Sequence, residues 1–348
     1  MPKGPDALLP VRRHPRLFVI LANVLLLGIF EESPGPIVKK SDFKQTGPFT
    51  QDNLTIFLLH GPDLLKERNC LTLQEALEKN QAIVYETGNV NVLAVENLSS
   101  DGEVYIQSGD IVKGGQQDRV IQYDVILSSR SGKTPLASFC VEHGRWHGRG
   151  EEGISYFASS DNALSDKQLK LAAKYQHSQQ QVWSQVDITR RRLNTGIGGN
   201  IRTASESSLQ LTLEAPEVQK SIEPYVKKLS AIIKNKPDVI GYASAINGQV
   251  NSADVYTSHA LFVKLWPKLL QASAVEALAE RQKSDGDSYN SAEVVRLFLA
   301  DAEQGKAYLQ TVNERTQQVM QETDRNLLFE TRDRQQEGVW THRCYLAK

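Results

Sequence analysis

The sequence predicts an α+β protein: a mostly antiparallel sheet, closed as a sandwich or a barrel, packed by several helices. Three observations predict it. Short apolar runs separated by dense turns fill the stretch from Asn53 to about Trp146. A helical period takes over after Ser165. Strand pairs with tight turns return toward the C-terminus. Composition agrees: of 348 residues, 40% are hydrophobic and 23% charged, ordinary for a globular chain and wrong for wholesale disorder. Lys+Arg number 40 and Asp+Glu 41, a net charge of −1, which excludes a nucleic-acid binder whose whole surface is basic. Three Cys are too few for a disulfide scaffold, and an odd number leaves a free thiol among Cys70, Cys140 and Cys344.

The N-terminus carries an apolar run, Leu17 to Phe30, interrupted only by Asn23 and Gly28. Lys3, Arg12, Arg13 and Arg16 precede it, and Glu31 and Glu32 follow. A basic flank, a short apolar stretch and an acidic exit describe an export signal or a signal anchor. The run is short against the about 20 residues of a spanning helix. The expectation is a protein exported or membrane-anchored by residues 17–30, the membrane being met only there. The alternative is a buried element in a cytoplasmic protein. Ser33-Pro-Gly-Pro36 reads as a linker. Residues 1–36 are therefore set apart from a single α+β domain at 37–348. Within it, 37–150 is the sheet-rich part, and 151–348 the helix-rich part with closing hairpins.

In chain order, Leu54–Leu59 is a strand ending at His60-Gly61-Pro62, and Thr72-Leu-Gln-Glu75 is a capping box opening a short helix. Ala82–Glu86, Val90–Glu96, Val104–Ile106, Arg119–Leu127 and Leu136–Val141 are further strands. Ser165-Asp-Lys-Gln168 is a second capping box. After it Leu171, Tyr175, Val182, Val186 and Leu193 form one apolar stripe on a helix of about 28 residues. That helix stops at Asn194-Thr-Gly-Ile-Gly-Gly199. Pro216–Ile233 is a second helix. Val239–Ile246, Asn247-Gly248 and Gln249-Val250 form a strand entering a type I′ turn. Thr257 or Ser258 caps a helix that Pro267 should kink or start, and Ser291 starts another. Leu327–Thr331 and Val339–Leu346 make the closing hairpin.

Two stretches could carry chemistry. In Lys113-Gly-Gly-Gln-Gln-Asp-Arg119 the glycines let backbone N–H groups approach a ligand, and Lys113, Gly114, Gly115, Gln116, Asp118 and Arg119 could form an anion nest. The structural alternative is a tight turn with Asp118 and Arg119 paired across strands. The motif is not a Walker loop, lacking G-x-x-x-x-G-K-[ST]. In Phe139-Cys-Val-Glu-His-Gly-Arg-Trp146, Cys140 and Glu142 share a strand face, with Arg145 after the glycine bend. Cys140 or Glu142 could serve as nucleophile or base and Arg145 as charge stabiliser, with Trp146 as a pocket wall. The alternative is a buried Cys140 beside a structural Glu142–Arg145 ion pair. No metal site is expected: Cys140, His143 and His147 would converge only on a helix, which Gly144 and Gly148 oppose. Arg190-Arg-Arg192 precede a helix end and complement its dipole. Asp254 and His259 flank a helix start and could line a pocket, but capping accounts for Asp254, Thr257 and Ser258 without one. Asn53-Leu-Thr and Asn97-Leu-Ser match the glycosylation pattern.

Those two stretches, with Leu71-Thr-Leu-Gln-Glu-Ala76, Val95-Glu-Asn97 and Val182-Trp183, resemble the ARG and rhodanese-phosphatase-superfamily-associated protein family, from about Asn53 to Leu278. That family takes its name from its genomic company of ADP-ribosylglycohydrolases and rhodanese-like phosphatases. The resemblance implies an α+β domain and a link to NAD or ADP-ribose metabolism, with no assigned activity. The expectation is a domain binding an anionic small molecule, nucleotide- or ADP-ribose-like. The alternatives are a hydrolase or transferase acting on such a ligand, or an envelope-associated interaction protein. No particular cofactor or protein partner is indicated.

Overall fold

The computed structural model describes residues 31–32, 40–66, 68, 70–149, 154–163, 166–199, 201–281 and 291–348. The apolar run at 17–30 and the predicted cap Ser165 lie outside them. The strands of the first half are β1 (Glu31–Glu32), β2 (Lys44–Gln51), β3 (Leu54–His60), β4 (Cys70–Thr72), β5 (Ala82–Asn89), β6 (Val92–Asn97), β7 (Glu103–Ile106), β8 (Asp110–Gly114), β9 (Arg119–Ile121), β10 (Val125–Leu127), β11 (Thr134–Cys140) and β12 (Tyr156–Ala163). Those of the second are β13 (Val239–Ile246), β14 (Gln249–Tyr256), β15 (Lys306–Thr311), β16 (Thr316–Glu322), β17 (Asn326–Asp333) and β18 (Trp340–Ala347). The helices are α1 (Leu73–Glu78), α2 (Lys167–Lys174), α3 (Gln179–Gly196), α4 (Leu209–Glu214), α5 (Pro216–Leu229), α6 (His259–Ala279) and α7 (Ala292–Ala302).

The α+β expectation holds, and the sheets are almost wholly antiparallel. A nine-stranded sheet runs β1-β15-β16-β17-β18-β14-β13-β3-β2, a closed barrel runs β11-β6-β5-β12-β8-β9, and a three-stranded sheet runs β10-β7-β4. Only β4–β7 among these pairs is parallel. The large sheet is covered on both faces. Leu54, Ile56 and Leu58 of β3 pack with Val182 and Val186 of α3, Ile222 of α5 and Leu270 of α6. The alternate residues Phe57 and Leu59 pack with Val295, Phe298 and Leu299 of α7. This is the period of two of a strand, applied to a strand buried on both sides. Each such apolar side chain contributes about 1.5–3 kcal/mol. The barrel has its own apolar interior, including Val84, Leu93, Val95, Val112, Ile121 and Leu136.

Local signals hold where the chemistry is local. Thr72 and Glu75 make the capping box on α1, Ser258 caps α6, and Ser291 caps α7. Asn247 and Gly248 both take positive φ, 49° and 78°, as a type I′ turn requires. Three expectations change, and a fourth, that Pro267 kinks or starts its helix, is narrowed. The single helix of about 28 residues is two: α2 ends at Lys174, His177 adopts φ 50°, and Ser178 caps α3 afresh. Its start is capped by Asp166, whose side chain accepts from Leu169 N at 2.7 Å. The strand expected over Arg119–Leu127 splits between the barrel (β9) and the small sheet (β10). Pro267 lies inside α6, not at its start.

The two glycosylation matches also change meaning. Asn53 donates to Ala277 O at 2.9 Å and accepts from the Tyr225 hydroxyl at 2.9 Å. Asn97 is fully buried and donates to Gly102 O and Ser128 O. Both amides fasten loops, Asn53 from a half-buried position and Asn97 from a fully buried one. Among the described residues no helix is long and apolar enough to cross a membrane.

Candidate functional site

The two sequence motifs meet where the barrel joins the helical layer. Strand β8 ends in the turn Gly114–Asp118, which returns as β9, and β11 lies against β9 with Cys140 opposite Arg119. Gly114 and Gly115 take φ 118° and 54°. A Cβ on Gly115 would stand 2.3 Å from the Phe157 ring, so the turn needs glycine for space as well as for φ. Beyond Cys140 the chain leaves the barrel. Val141 N donates to Asp118 O at 3.1 Å, Leu209 N donates to Val141 O at 3.2 Å, and Glu142 bridges to Ser208. Gln179, first residue of α3, brackets Cys140 through its backbone N–H and carbonyl at 2.8 and 2.9 Å.

This junction gathers three arginines and three carboxylates. Asp118 accepts from Gly114 N at 3.1 Å, Arg145 Nη2 at 3.3 Å and Arg149 Nη1 at 3.0 Å. Glu142 accepts from Arg145 Nε at 2.5 Å. Arg119 Nη2 lies 3.6 Å from Glu86 Oε2, and its Nη1 donates to Gln117 O at 2.9 Å. Asp118, Arg119 and Glu142 are wholly buried. Burial pushes the Asp118 carboxyl up, opposed chiefly by Arg149 and the Gly114 N–H. Two groups are left unmet: Arg119 Nε and Nη2, and Glu142 Oε1, have no hydrogen-bond partner. Trp146 covers Arg119, with its ring centroid 5.7 Å from the guanidinium carbon, and is itself 46% exposed.

Each residue singled out in the sequence is thereby placed. Asp118, Arg119, Glu142, Arg145 and Trp146 come together. Gly114 and Gly115 shape the turn, and Gln116 N donates to Glu86 Oε2 at 3.2 Å. Lys113 points to Glu214 at 2.9 Å instead, on the outer edge. Asp118 and Arg119 do not pair with one another; each finds a partner from another segment. Cys140 is fully buried with Sγ 3.8 Å from Val90 O. Burial pushes its thiol up to about 11, against the pull of Arg119. Burial and a raised thiol both work against the reactive thiolate that a nucleophilic Cys140 would need. All three cysteines are free. Among the described residues no group of three His, Cys, Asp or Glu is placed to hold a metal ion.

Residues 42–346 match the family model of the ARG and Rhodanese-Phosphatase-superfamily-associated Protein domain. The chain belongs to this family. The match extends past Leu278 to take in α7 and the C-terminal strands, so the family domain includes every strand of the large sheet except β1. No curated protein and no solved structure matches the chain.

A second ionic cluster stands outside both sequence motifs. His342 of β18 makes hydrogen bonds through both ring nitrogens, Nδ1 to Asp124 at 2.7 Å and Nε2 to Asp254 at 3.1 Å. Thr331 donates to Asp124 at 2.5 Å, Ser108 N donates to it at 2.7 Å, and Lys170 lies 3.9 Å from Asp254. Tyr256 stacks on the imidazole at 4.4 Å. Burial alone would lower the His342 pKa, but Asp124 and then Asp254 outweigh it and raise it. Burial is likewise outweighed at both carboxyls, which His342 and the α2 lysines hold well below the usual range. Capping does not account for Asp254: it sits on β14 facing His342, and Ser258 is the cap. The signal in the sequence is a charged residue inside an otherwise apolar strand or its margin, at Asp124, Asp254 and His342 alike.

Proposed function

We propose that the protein binds an anionic small molecule at the junction of the Gly114–Arg119 turn and the 141–149 loop. The observation that carries this reading is Arg119: a fully buried guanidinium with two nitrogens unmet, roofed by a half-exposed indole. Buried donors are almost always hydrogen-bonded, so a guanidinium edge whose one carboxylate, Glu86, stands off at 3.6 Å is a place for a nearer acceptor. An indole face beside it suits a planar ring. A nucleotide- or ADP-ribose-like ligand has both parts, and the family's association with ADP-ribosylglycohydrolases, carried in its name, is in keeping with that class.

Glu142 Oε1, which has no partner, favours a hydrolase or transferase on the same ligand, with Glu142 as base. The pairing of Arg145 and Arg149 with carboxylates favours an interaction protein, in which the cluster only fastens the loop. One measurement separates the three. Thermal unfolding of the full-length protein is followed with ADP-ribose, NAD, nucleotides and sugar phosphates. A binder of the folded state raises the melting temperature by mass action. The expected result is a rise that Trp146→Ala abolishes. Turnover of the bound compound, lost in Glu142→Gln, would establish the enzyme. No rise with any compound would remove the small-anion reading and leave the interaction protein. Export or anchoring by residues 17–30 stays part of this proposal; fractionation of cells, with the protein found in the soluble cytosol, would overturn it.

A further inference from the structure

A different part of the molecule holds a cavity of about 190 Å³. It lies where the small sheet, β18 and the N-terminus of α6 meet, and none of the junction residues lines it. Leu65, Ile126 and Leu261 supply an apolar wall, while Arg68, Tyr105 and Ser258 supply polar groups. An engineered apolar void of roughly 150 Å³ already takes up benzene, so this space suits a body of one small ring.

Beside the hydroxyl of Thr341 and the thiol of Cys70, both charged residues of the lining, Arg68 and Lys264, are cationic. Arg68 is held by Nε on Glu103 and by Nη2 on Asp333 at 2.7 Å, which leaves Nη1 buried and without a partner among the described residues. Tyr105 is 1% exposed, and its hydroxyl makes no close hydrogen bond, with the Asp124 carboxylate as the acceptor beside it. Burial, and behind it the charge of Asp124, pushes that phenol well above its ordinary value, so it stays protonated and able to donate. Ser258 caps α6, a helix of 21 residues, whose first-turn N–H groups carry the positive end of the helix dipole. A guanidinium edge, a hydroxyl and a helix N-terminus all offer protons, and all three favour an anion.

We propose that this cavity is a binding site for a small organic anion with a compact apolar body, of the size of a benzoate. The anionic group meets Arg68 Nη1, the Tyr105 hydroxyl and the start of α6. The ring lies against Leu65, Ile126 and Leu261. This site is independent of the junction, and it stands or falls without any ligand there.

The test is calorimetric titration of the full-length protein with benzoate, with benzamide as the uncharged analogue and phenyl phosphate as the alternative anion. Benzoate or phenyl phosphate is expected to bind at least tenfold more tightly than benzamide. Whichever of the two binds better identifies the headgroup. Tyr105→Phe, which removes one hydroxyl, is expected to weaken binding about tenfold. Ala260→Trp places a large side chain at an exposed lining position, where the fold is insensitive, and is expected to abolish binding with the melting temperature unchanged. Trp146→Ala should leave it untouched. Absence of binding by both anions, equal binding of benzamide, or full binding by a folded Ala260→Trp protein would overturn the proposal.

Discussion

The protein contains two buried ionic clusters, and they are built differently. At the junction, Arg119, Arg145 and Arg149 face Glu86, Asp118 and Glu142, and the set still leaves Arg119 Nε and Nη2 and Glu142 Oε1 unmet beneath a half-exposed Trp146. In the core, His342 satisfies both of its nitrogens, and an aromatic ring stacks flat on it. The first cluster keeps donors in reserve at the edge of solvent. The second ties β18, β14 and the segment before β10 into one unit with nothing exposed. Burial of charge alone therefore does not mark a functional site here. Unspent hydrogen-bonding capacity beside an accessible surface is what singles out the junction for the proposed ligand.

The comparison can be broken by mutation, beginning in the core. Asp254→Ala leaves His342 and Lys170 charged without this partner, and should cost about 3–5 kcal/mol in urea unfolding. A cost under about 1 kcal/mol would mean that the core cluster does not hold the sheet to the helices. Arg145→Ala at the junction should cost less, about 2–3 kcal/mol, because it forfeits charged hydrogen bonds while Arg149 still sits 3.0 Å from Asp118. If the order of these two effects were reversed, the junction would be the structural fastener and the ligand reading would lose its footing.

A pH series sharpens the same contrast. The folded state raises the His342 pKa, so it binds the proton more tightly than the unfolded chain does. The imidazolium's contribution is complete below the unfolded value of about 6.5 and fades as pH rises through the folded value. The stability gap between wild type and His342→Gln should be widest near pH 5.5 and narrow steadily toward pH 9. A gap that widened with pH would show that the folded protein holds His342 neutral. Glu276 runs alongside: burial pushes its carboxyl up to about 7 despite Lys170. A raised carboxyl loses stability as pH climbs from about 4.5 to that value. Glu276→Gln should therefore gain about 1–3 kcal/mol on wild type at pH 8 and nothing at pH 4. The smallest effect on stability belongs to Trp146→Ala, about 0.5 kcal/mol for one exposed cation–π contact, and yet it should remove the response to ligand.

Several of these features are legible in the amino-acid order. The caps at Thr72, Ser258 and Ser291 and the turn at Asn247-Gly248 rest on groups within three residues of one another, so sequence spacing reports them directly. The two motifs of the junction stand out through their glycines and charges, although the turn of Lys113 toward Glu214 and the burial of Cys140 do not show in them. Strands β15 and β16 are not legible, for a physical reason: Gln310, Gln318 and Gln321 are buried, so the alternation of apolar and polar residues that marks a half-buried strand is absent. The break at His177 is hidden because its apolar stripe continues across it in helical register. The core cluster is hidden by separation, since Asp124 and His342 lie 218 residues apart and Asp254 and His342 lie 88 apart.

The sequence by itself determined the α+β class, the family, the capped helix starts and the two distinctive segments, though not that they meet at the barrel's edge. These depend on local backbone preference and on hydrophobic period, both written into neighbouring residues. Tertiary structure alone decided which charges neutralise which. Asp118 and Arg119, adjacent in the chain, take different partners, while Asp124, Asp254 and His342, far apart in it, share one proton-bearing ring. An ion pair in a low-dielectric interior is set by distances of a few ångströms, and those distances exist only after the strands have paired.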